Sequence, residues 1–385
     1  MITFIALLAL LVWLYLLLFH GGFWRADQRL PQTEPPVAWP EVCAIIPARD
    51  EAEHIAATVA AHMASTYPGE FSVILADDHS TDNTAALART AAENAPRALH
   101  VAPAPVLEQG WTGKLWAQES GRIAARKTAP AAKYLLLCDA DIRFGPDVLA
   151  RLVAKAETED LALVSLMARL DARGLWGDLL IPAFVYFFQK LYPFRRVNNP
   201  SDLMAGAAGG CMLVRRDALE RIGGFCALKG ALIDDCTLAR LIKGAPPKRK
   251  IWLGFAADVT SARDNRSLAS IWKMVARTAY TQLRYNPLLL LGAVAGMLFL
   301  YLSPPVITLT IAWHKDIAAF FLALMAWAVM IKTYSPTRRL YGQPAIAGMF
   351  LPLAALLYTL MTVTSAFNHW RGKGGQWKGR TYPSP

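Results

Sequence analysis

Hydrophobic positions along this chain are arranged in two ways. At both ends they run unbroken for the length of a membrane helix; between, they come in short bursts that stop at polar turns before stretches of helical period. The first run, Ile2 to Phe19, makes roughly 27 Å of helix at about 1.5 Å per residue. It has neither a basic leader nor a small-residue cleavage site, which predicts an uncleaved transmembrane anchor over 1–20. Residues 21–40 read as a linker, with prolines 31, 35, 36 and 40. Val42-Cys43-Ala44-Ile45-Ile46-Pro47 then predicts a strand buried on both faces, and Arg49-Asp50-Glu51-Ala52-Glu53 the acid-rich first turn of a helix. The unit repeats, with a strand over Ser72 to Ala76, a polar turn over Asp77 to Thr84 and a helix over Ala85 to Asn94. Further strands are expected at Leu99 to Ala102, Tyr134 to Cys138, Leu161 to Met167 and Cys211 to Val214. Helices are expected over Pro146 to Glu157 and from Asp234 to Lys243. Such alternation specifies an α/β domain over 41–286, built on a mostly parallel sheet with right-handed crossovers.

The stretch from Leu175 to Phe194 is aromatic and apolar, but Asp178, Pro182 and Gln189-Lys190 interrupt it. That pattern suits a helix lying in the membrane surface, a core helix being the other reading. Three more apolar segments, about Leu288 to Trp313, Ile317 to Ile331 and Ala345 to Phe367, form a membrane region over 287–368. A basic tail, 369–385, closes the chain.

Composition agrees: 55% of the 385 residues are hydrophobic, more than a soluble domain carries. The net charge of +11 comes with no RNA-binding, zinc or recognition-helix motif, so nucleic acid is excluded in favour of an anionic membrane surface. Lys243, Lys248, Arg249, Lys250, Arg263, Arg266, Lys273, Arg277 and Arg284 are expected to face acidic lipid, at about 1 kcal/mol each. Arg25 and Arg29 follow the anchor, which places the α/β domain in the cytoplasm at a bacterial-type inner membrane. Lys332, Arg338 and Arg339 mark the same side, as do Arg371, Lys373, Lys378 and Arg380 in the tail. Those two assignments conflict if every segment spans. Either the last segment is re-entrant, broken at Pro352, or the Pro304-Pro305 segment is not a simple span. The five cysteines are odd in number and contain no Cys-x-x-Cys, which fits a reducing compartment.

Candidate chemistry gathers at acids. The apolar run Tyr134-Leu-Leu-Leu-Cys138 stops on Asp139-Ala140-Asp141, whose carboxylates point to one side at the strand end where an open parallel sheet binds its ligand. Paired hard oxygens suit Mg²⁺ or Mn²⁺ carrying a diphosphate. Asp234-Asp235, opening a helix, suits either a cap or a general base. Gly110-Trp111-Thr112-Gly113-Lys114 is a partial phosphate loop without the full Gly-x-x-x-x-Gly-Lys spacing. A metal for a leaving diphosphate and a carboxylate for an attacking hydroxyl are the requirements of displacement at a nucleotide-activated sugar.

Pro47-x-Arg49-Asp50-Glu51, Ala76-Asp77-Asp78-His79-Ser80-Thr81-Asp82-Asn83-Thr84, Gly110-Trp111-Thr112-Gly113-Lys114, Asp139-Ala140-Asp141 and Asp234-Asp235, in that order, resemble the inverting family 2 glycosyltransferases of GT-A fold. With the anchor and Trp377-Lys378-Gly379-Arg380-x-Tyr382, the whole chain most resembles the hopanoid-associated members; membrane enzymes acting on ceramide or carotenoid lipids come next. The resemblance implies that Pro47 and Glu51 line the nucleotide site, Asp78 holds a uracil-like base, Lys114 and Asp139 sit beside the nucleotide, and Asp141 with Asp139 binds the metal. Asp235 matches the base, with Asp234 beside it, while Arg284, Trp377 and Arg380 belong to the acceptor edge. Two departures stand out. Asp50 replaces the family's usual Asn, and Thr281-Gln282-Leu283-Arg284-Tyr285 keeps only the arginine of the processive Gln-x-x-Arg-Trp signature. Single transfer from a nucleotide sugar to a hydroxylated lipid, plausibly a hopanoid, is therefore expected. A catalytically silent nucleotide-sugar scaffold is the alternative. Donor sugar, base and oligomeric state stay open.

Overall fold

The computed structural model describes residues 1–372, 374, 376–378 and 380–381. Helix α1 (Ile2–Leu18) and a 3-10 turn (Phe23–Arg25) precede an alternating region: β1 (Val42–Ala48), α2 (Ile55–Met63), β2 (Phe71–Asp77), α3 (Thr84–Ala92), β3 (Ala98–Pro103), α4 (Gly113–Thr128), β4 (Tyr134–Cys138), β5 (Ile142–Phe144), α5 (Val148–Glu159) and β6 (Leu161–Arg169). Then come α6 (Gly174–Leu191), α7 (Phe194–Asn198), β7 (Cys211–Arg215), α8 (Arg216–Arg221), α9 (Asp234–Gly244) and β8 (Lys250–Ser261). The eight strands form one sheet in the order β3-β2-β1-β4-β7-β6-β8-β5. β1 pairs in parallel with β2 and β4, β2 with β3, and β6 with β8; β7 and β5 run against their neighbours. The carboxyl ends of β1, β2, β4, β6 and β8 therefore share one edge, where β7 begins.

Every residue of β1 and β4 is buried, as their unbroken apolar sequences require when helices cover both faces of a sheet. The strand period of two sends Ile45, Leu135 and Leu137 into one core and Ala44, Ile46 and Leu136 into the other. Helix α4 lies so close to β1 that a Cβ at Gly121 would come within 2.4 Å of Ile45 Cγ2.

The remaining elements are α10 (Leu268–Ala276), α11 (Ala279–Gln282), α12 (Pro287–Met297), a π-helical turn (Leu298–Leu302), α13 (Ser303–Leu309), α14 (Ile311–His314), α15 (Ile317–Leu340), a 3-10 turn (Ala345–Phe350), α16 (Leu351–Trp370) and the ribbon β9 (Gln376–Trp377) and β10 (Arg380–Thr381). Among the described residues, three segments are long and apolar enough to cross a membrane: Pro287–Leu309, Ile317–Leu340 and Ala345–Trp370. α1 packs along α13 and α15, with Thr3 bonded to Asp316 at the end far from the sheet. The last segment behaves differently. It starts beside the domain, where Arg169 lies over Tyr341 and Gln343 bonds Asp178. It also ends there: His369 stacks on Tyr285, and Lys378 reaches Glu51. Both ends of this segment therefore lie beside the sheet domain.

α6 lies between the two parts of the molecule. Its Val185 and Phe188 join the sheet's core, while Tyr186 bonds Thr333 of α15 and the Leu180 carbonyl accepts from Tyr358 of α16. The surface helix is thus covered by protein on both flanks, with Leu175 and Leu191 exposed near its ends.

Several expectations are corrected. Residues 49–53 precede α2 rather than opening it, because Asp50 adopts φ +49° and its carboxylate binds Thr81 of the neighbouring turn. The linker is tied down where the Leu30 amide donates to Phe255 O. The basic run from Lys243 contains β8, whose apolar positions are broken by Gly254 and Asp258 and so lack a legible period. Lys243 is buried and donates to the carbonyls of Val197, Asn199 and Met204 instead of facing lipid.

Candidate active site

The acids converge because the parallel strands deliver them to one edge. β1 ends in the turn carrying Arg49, Asp50 and Glu51; β2 ends at Asp77 and Asp78; β4 ends at Asp139; β8 ends at Ser261, two residues before Arg263. The antiparallel β7 is preceded by Gly209 at the same edge, facing the first turn of α9. A cavity of about 690 Å³ opens there, lined by Pro47, Glu51, Lys114, Asp139, Asp141, Asp234, Asp235, Arg263 and Lys378, among others.

Lys114, from the first turn of α4, is the hub. Its ammonium lies 2.8 Å from Asp139 and 3.4 Å from Asp234. Burial alone would lower its pKa, but Asp139, Asp234 and Asp235 together hold it above the ordinary lysine value. Burial raises Asp139, with Lys114 opposing and Asp141 adding to the rise. Asp141 moves the other way. Burial would raise it, yet Arg263 and a 2.6 Å bond donated by Ser261 Oγ bring it below the usual carboxylate range. Arg263 also reaches Glu51, at 3.3 Å.

Backbone amides bind Asp235: the Gly209 amide donates at 2.9 Å and the Cys236 amide at 2.7 Å. A side chain at Gly209 would crowd this carboxylate, its Cβ lying 3.2 Å from Oδ2. Burial, then the charge of Asp234, pushes Asp235 up to about 6. The N-cap of α9 is Ile233, and both carboxylates line the cavity from the helix's first turn.

Not every expected residue faces that space. Asp78 is fully buried, 3.9 Å from Arg49, and does not line the cavity. Arg284 is exposed and outside it; the arginine of this region that lines the cavity is Arg277, one α-helical face with Ser270, Lys273 and Met274. Trp377 and Arg380 pair as backbone in the ribbon, and their side chains, like Tyr382, lie outside the described residues. Two residues escaped the sequence reading: Arg263, counted among lipid-facing cations, and Lys378, counted as tail charge. Their signal was weak because neither has a partner close in sequence.

Among the described residues, no three His, Cys, Asp or Glu side chains converge as a metal cage. Mg²⁺-type sites ordinarily take one or two carboxylates and complete their shell with substrate phosphates and water. Asp139 and Asp141 fit that donor set, and the cations now facing them, Lys114 and Arg263, show the pair's affinity for positive charge.

The sheet and its flanking helices make a mixed α/β, mostly parallel GT-A-like glycosyltransferase fold. A mannosyltransferase from Pyrobaculum calidifontis, solved with GDP-Man and Mn²⁺, aligns over 99% of this chain and 100% of its own, with a TM-score of 0.55 at 19% identity. Glucosyl-3-phosphoglycerate synthase from Mycobacterium tuberculosis aligns over 64% of this chain and 79% of its own, at 18% identity and a TM-score of 0.40. TarS from S. aureus, solved with UDP, aligns over 88% and 93%, at 14% identity and 0.39. No curated protein matches the sequence. Residues 2–383 match the profile of glycosyl transferase family 21, and the chain belongs to that family. The motifs had pointed to family 2; the whole-chain match is to family 21.

Proposed function

We propose that this glycosyltransferase moves a single sugar from a nucleotide donor, a UDP-sugar by its motifs, to a hydroxylated lipid, with inversion. One observation carries the reading: the cavity that holds the acids also has an apolar wall shared with the membrane helices. Leu170, Phe184 and Met274 line the cavity and pack into the cluster of Leu180, Ile271, Tyr334 and Tyr358. A lipid hydroxyl could thereby meet the sugar without leaving an apolar surface, while exposed Lys273 and Arg277 on the rim suit anionic head groups. The motif resemblance favours a hopanoid as that lipid. The basic residues flanking the membrane helices favour a cytoplasmic domain at an inner membrane.

In this reading Asp235, fixed by two amide N–H groups, takes the proton of the acceptor hydroxyl. The oxygen forms its bond to the anomeric carbon as the bond to the diphosphate breaks on the opposite face. Lys114 couples the donor side, through Asp139, to the base side, through Asp234. Asp139 and Asp141 would hold Mg²⁺ or Mn²⁺, which supplies charge neutralisation for the departing diphosphate. Pro47 and Glu51 line the nucleotide end of the cavity.

Membranes carrying the protein are incubated with radiolabelled UDP-sugars and extracted for lipid. Label is expected in a lipid fraction for the native protein, and roughly 10²- to 10⁴-fold less for Asp235→Asn. Chelation should abolish transfer and Mn²⁺ or Mg²⁺ restore it. Equal labelling by the two proteins would sink the assignment. Mass spectrometry of the labelled lipid names sugar and acceptor together.

A further inference from the structure

Glu51 is buried at the nucleotide end of the cavity, and its carboxylate is contacted from a distant part of the chain: Lys378 Nζ lies 2.7 Å away. The same ammonium donates to the Asp50 carbonyl at 2.9 Å. Lys378 opens the turn between β9 and β10, whose backbones pair Trp377 with Arg380. Its φ of +47° is the left-handed value that a two-residue hairpin turn takes at its first central position. The short C-terminal ribbon is thus placed so that one lysine enters the cavity.

Charge gives the placement a purpose. Glu51, Asp139, Asp141, Asp234, Asp235 and Asp264 line this cavity, against Lys114, Arg263 and Lys378, with Lys273 and Arg277 exposed on its wall. A diphosphate entering among six acids needs compensating cations. Lys114 is held between Asp139 and Asp234, and Arg263 between Asp141 and Glu51, so each is already engaged by one carboxylate of the Asp139–Asp141 pair. Lys378 contacts the nucleotide-side turn through Asp50 and Glu51.

We propose that Lys378 is a donor-binding residue, exchanging its contact with Glu51 for the diphosphate of the nucleotide when donor is loaded. This rests on the nucleotide-sugar reading above. It also makes the chain beyond α16 part of the donor site.

The full-length protein in detergent with Mn²⁺ is titrated calorimetrically with UDP, GDP and uridine, alongside Lys378→Gln and Lys378→Arg. Loss of one charge-assisted contact should weaken diphosphate binding in Lys378→Gln by about tenfold or more, with uridine affinity unchanged. Lys378→Arg should stay within about threefold of native, as expected for a contact that depends on charge. A Lys378→Gln protein that binds UDP or GDP as tightly as native overturns the inference while leaving the nucleotide reading intact. Equal losses for uridine and diphosphate reduce Lys378 to a clamp on the Asp50-Glu51 turn, which also overturns it. If the native protein binds neither UDP nor GDP, the nucleotide reading itself fails.

Discussion

Asp235 owes its poise to opposing effects within a few ångströms. The amides of Gly209 and Cys236 favour its ionised form, as does Lys114, but burial and the neighbouring charge of Asp234 outweigh them and bring it to about 6. As the proposed base Asp235 must be ionised to work, so with this raised pKa it is active above about pH 6 and lost below it. Initial rates under saturating donor should therefore fall about tenfold per pH unit below 6 and level off above. Asp234→Asn removes a like charge and should move that limb to lower pH. A limb unmoved by Asp234→Asn would separate the two carboxylates functionally. Asp50 illustrates the same scale differently: Thr81 donates to its Oδ1 through both amide and hydroxyl, and φ is +49°. An asparagine offers the same carbonyl acceptor and tolerates that φ, so the departure from the family pattern leaves the turn unchanged.

Among elements, α4 shows how packing sets chemistry. Gly121 lets the helix approach β1, and the same helix carries Lys114 in its first turn. Gly121→Ala would drive a methyl group into Ile45 and is expected to cost about 1–3 kcal/mol, seen as a lower melting temperature in detergent. It should also raise the KM for donor, because the helix must shift away from the edge where Lys114 meets Asp139. An unchanged melting temperature would show that α4 can yield without cost. The strands with unbroken apolar sequence, β1, β2 and β4, were legible to within a residue or two. β5 and β8 were not, since three residues make β5 and polar or small residues interrupt β8. β8 matters most to the site, because it brings Ser261 and Arg263 to Asp141.

For the whole molecule, the central question was how four apolar segments sort across a membrane. α1, the α12–α13 segment and α15 reach the far end at Thr3 and Asp316, whereas both ends of the α16 segment return to the sheet domain. Single cysteines at Lys315, Gly342 and Arg371 in sealed vesicles test this. Cys226, the exposed native cysteine, reports the domain's own side and is replaced by Ser in the test proteins. Gly342→Cys and Arg371→Cys should label from the face that reaches Cys226, and Lys315→Cys from the other. Labelling of Arg371→Cys together with Lys315→Cys would mean that α16 crosses.

Sequence alone determined the strand–turn–helix alternation, the acids at strand ends and the apolar segments, because each is written in neighbouring residues: a run, a period, a terminating carboxylate. Tertiary structure decided what depends on residues far apart. It set Arg263 against Asp141 and Glu51, brought Lys378 back to Glu51 across the length of the chain, left Arg284 outside the cavity, and placed both ends of the last apolar segment beside the sheet domain. Ion pairs and membrane crossings of this kind have no local period. They follow from which strand lies beside which, and from where a helix finds a partner for its apolar face.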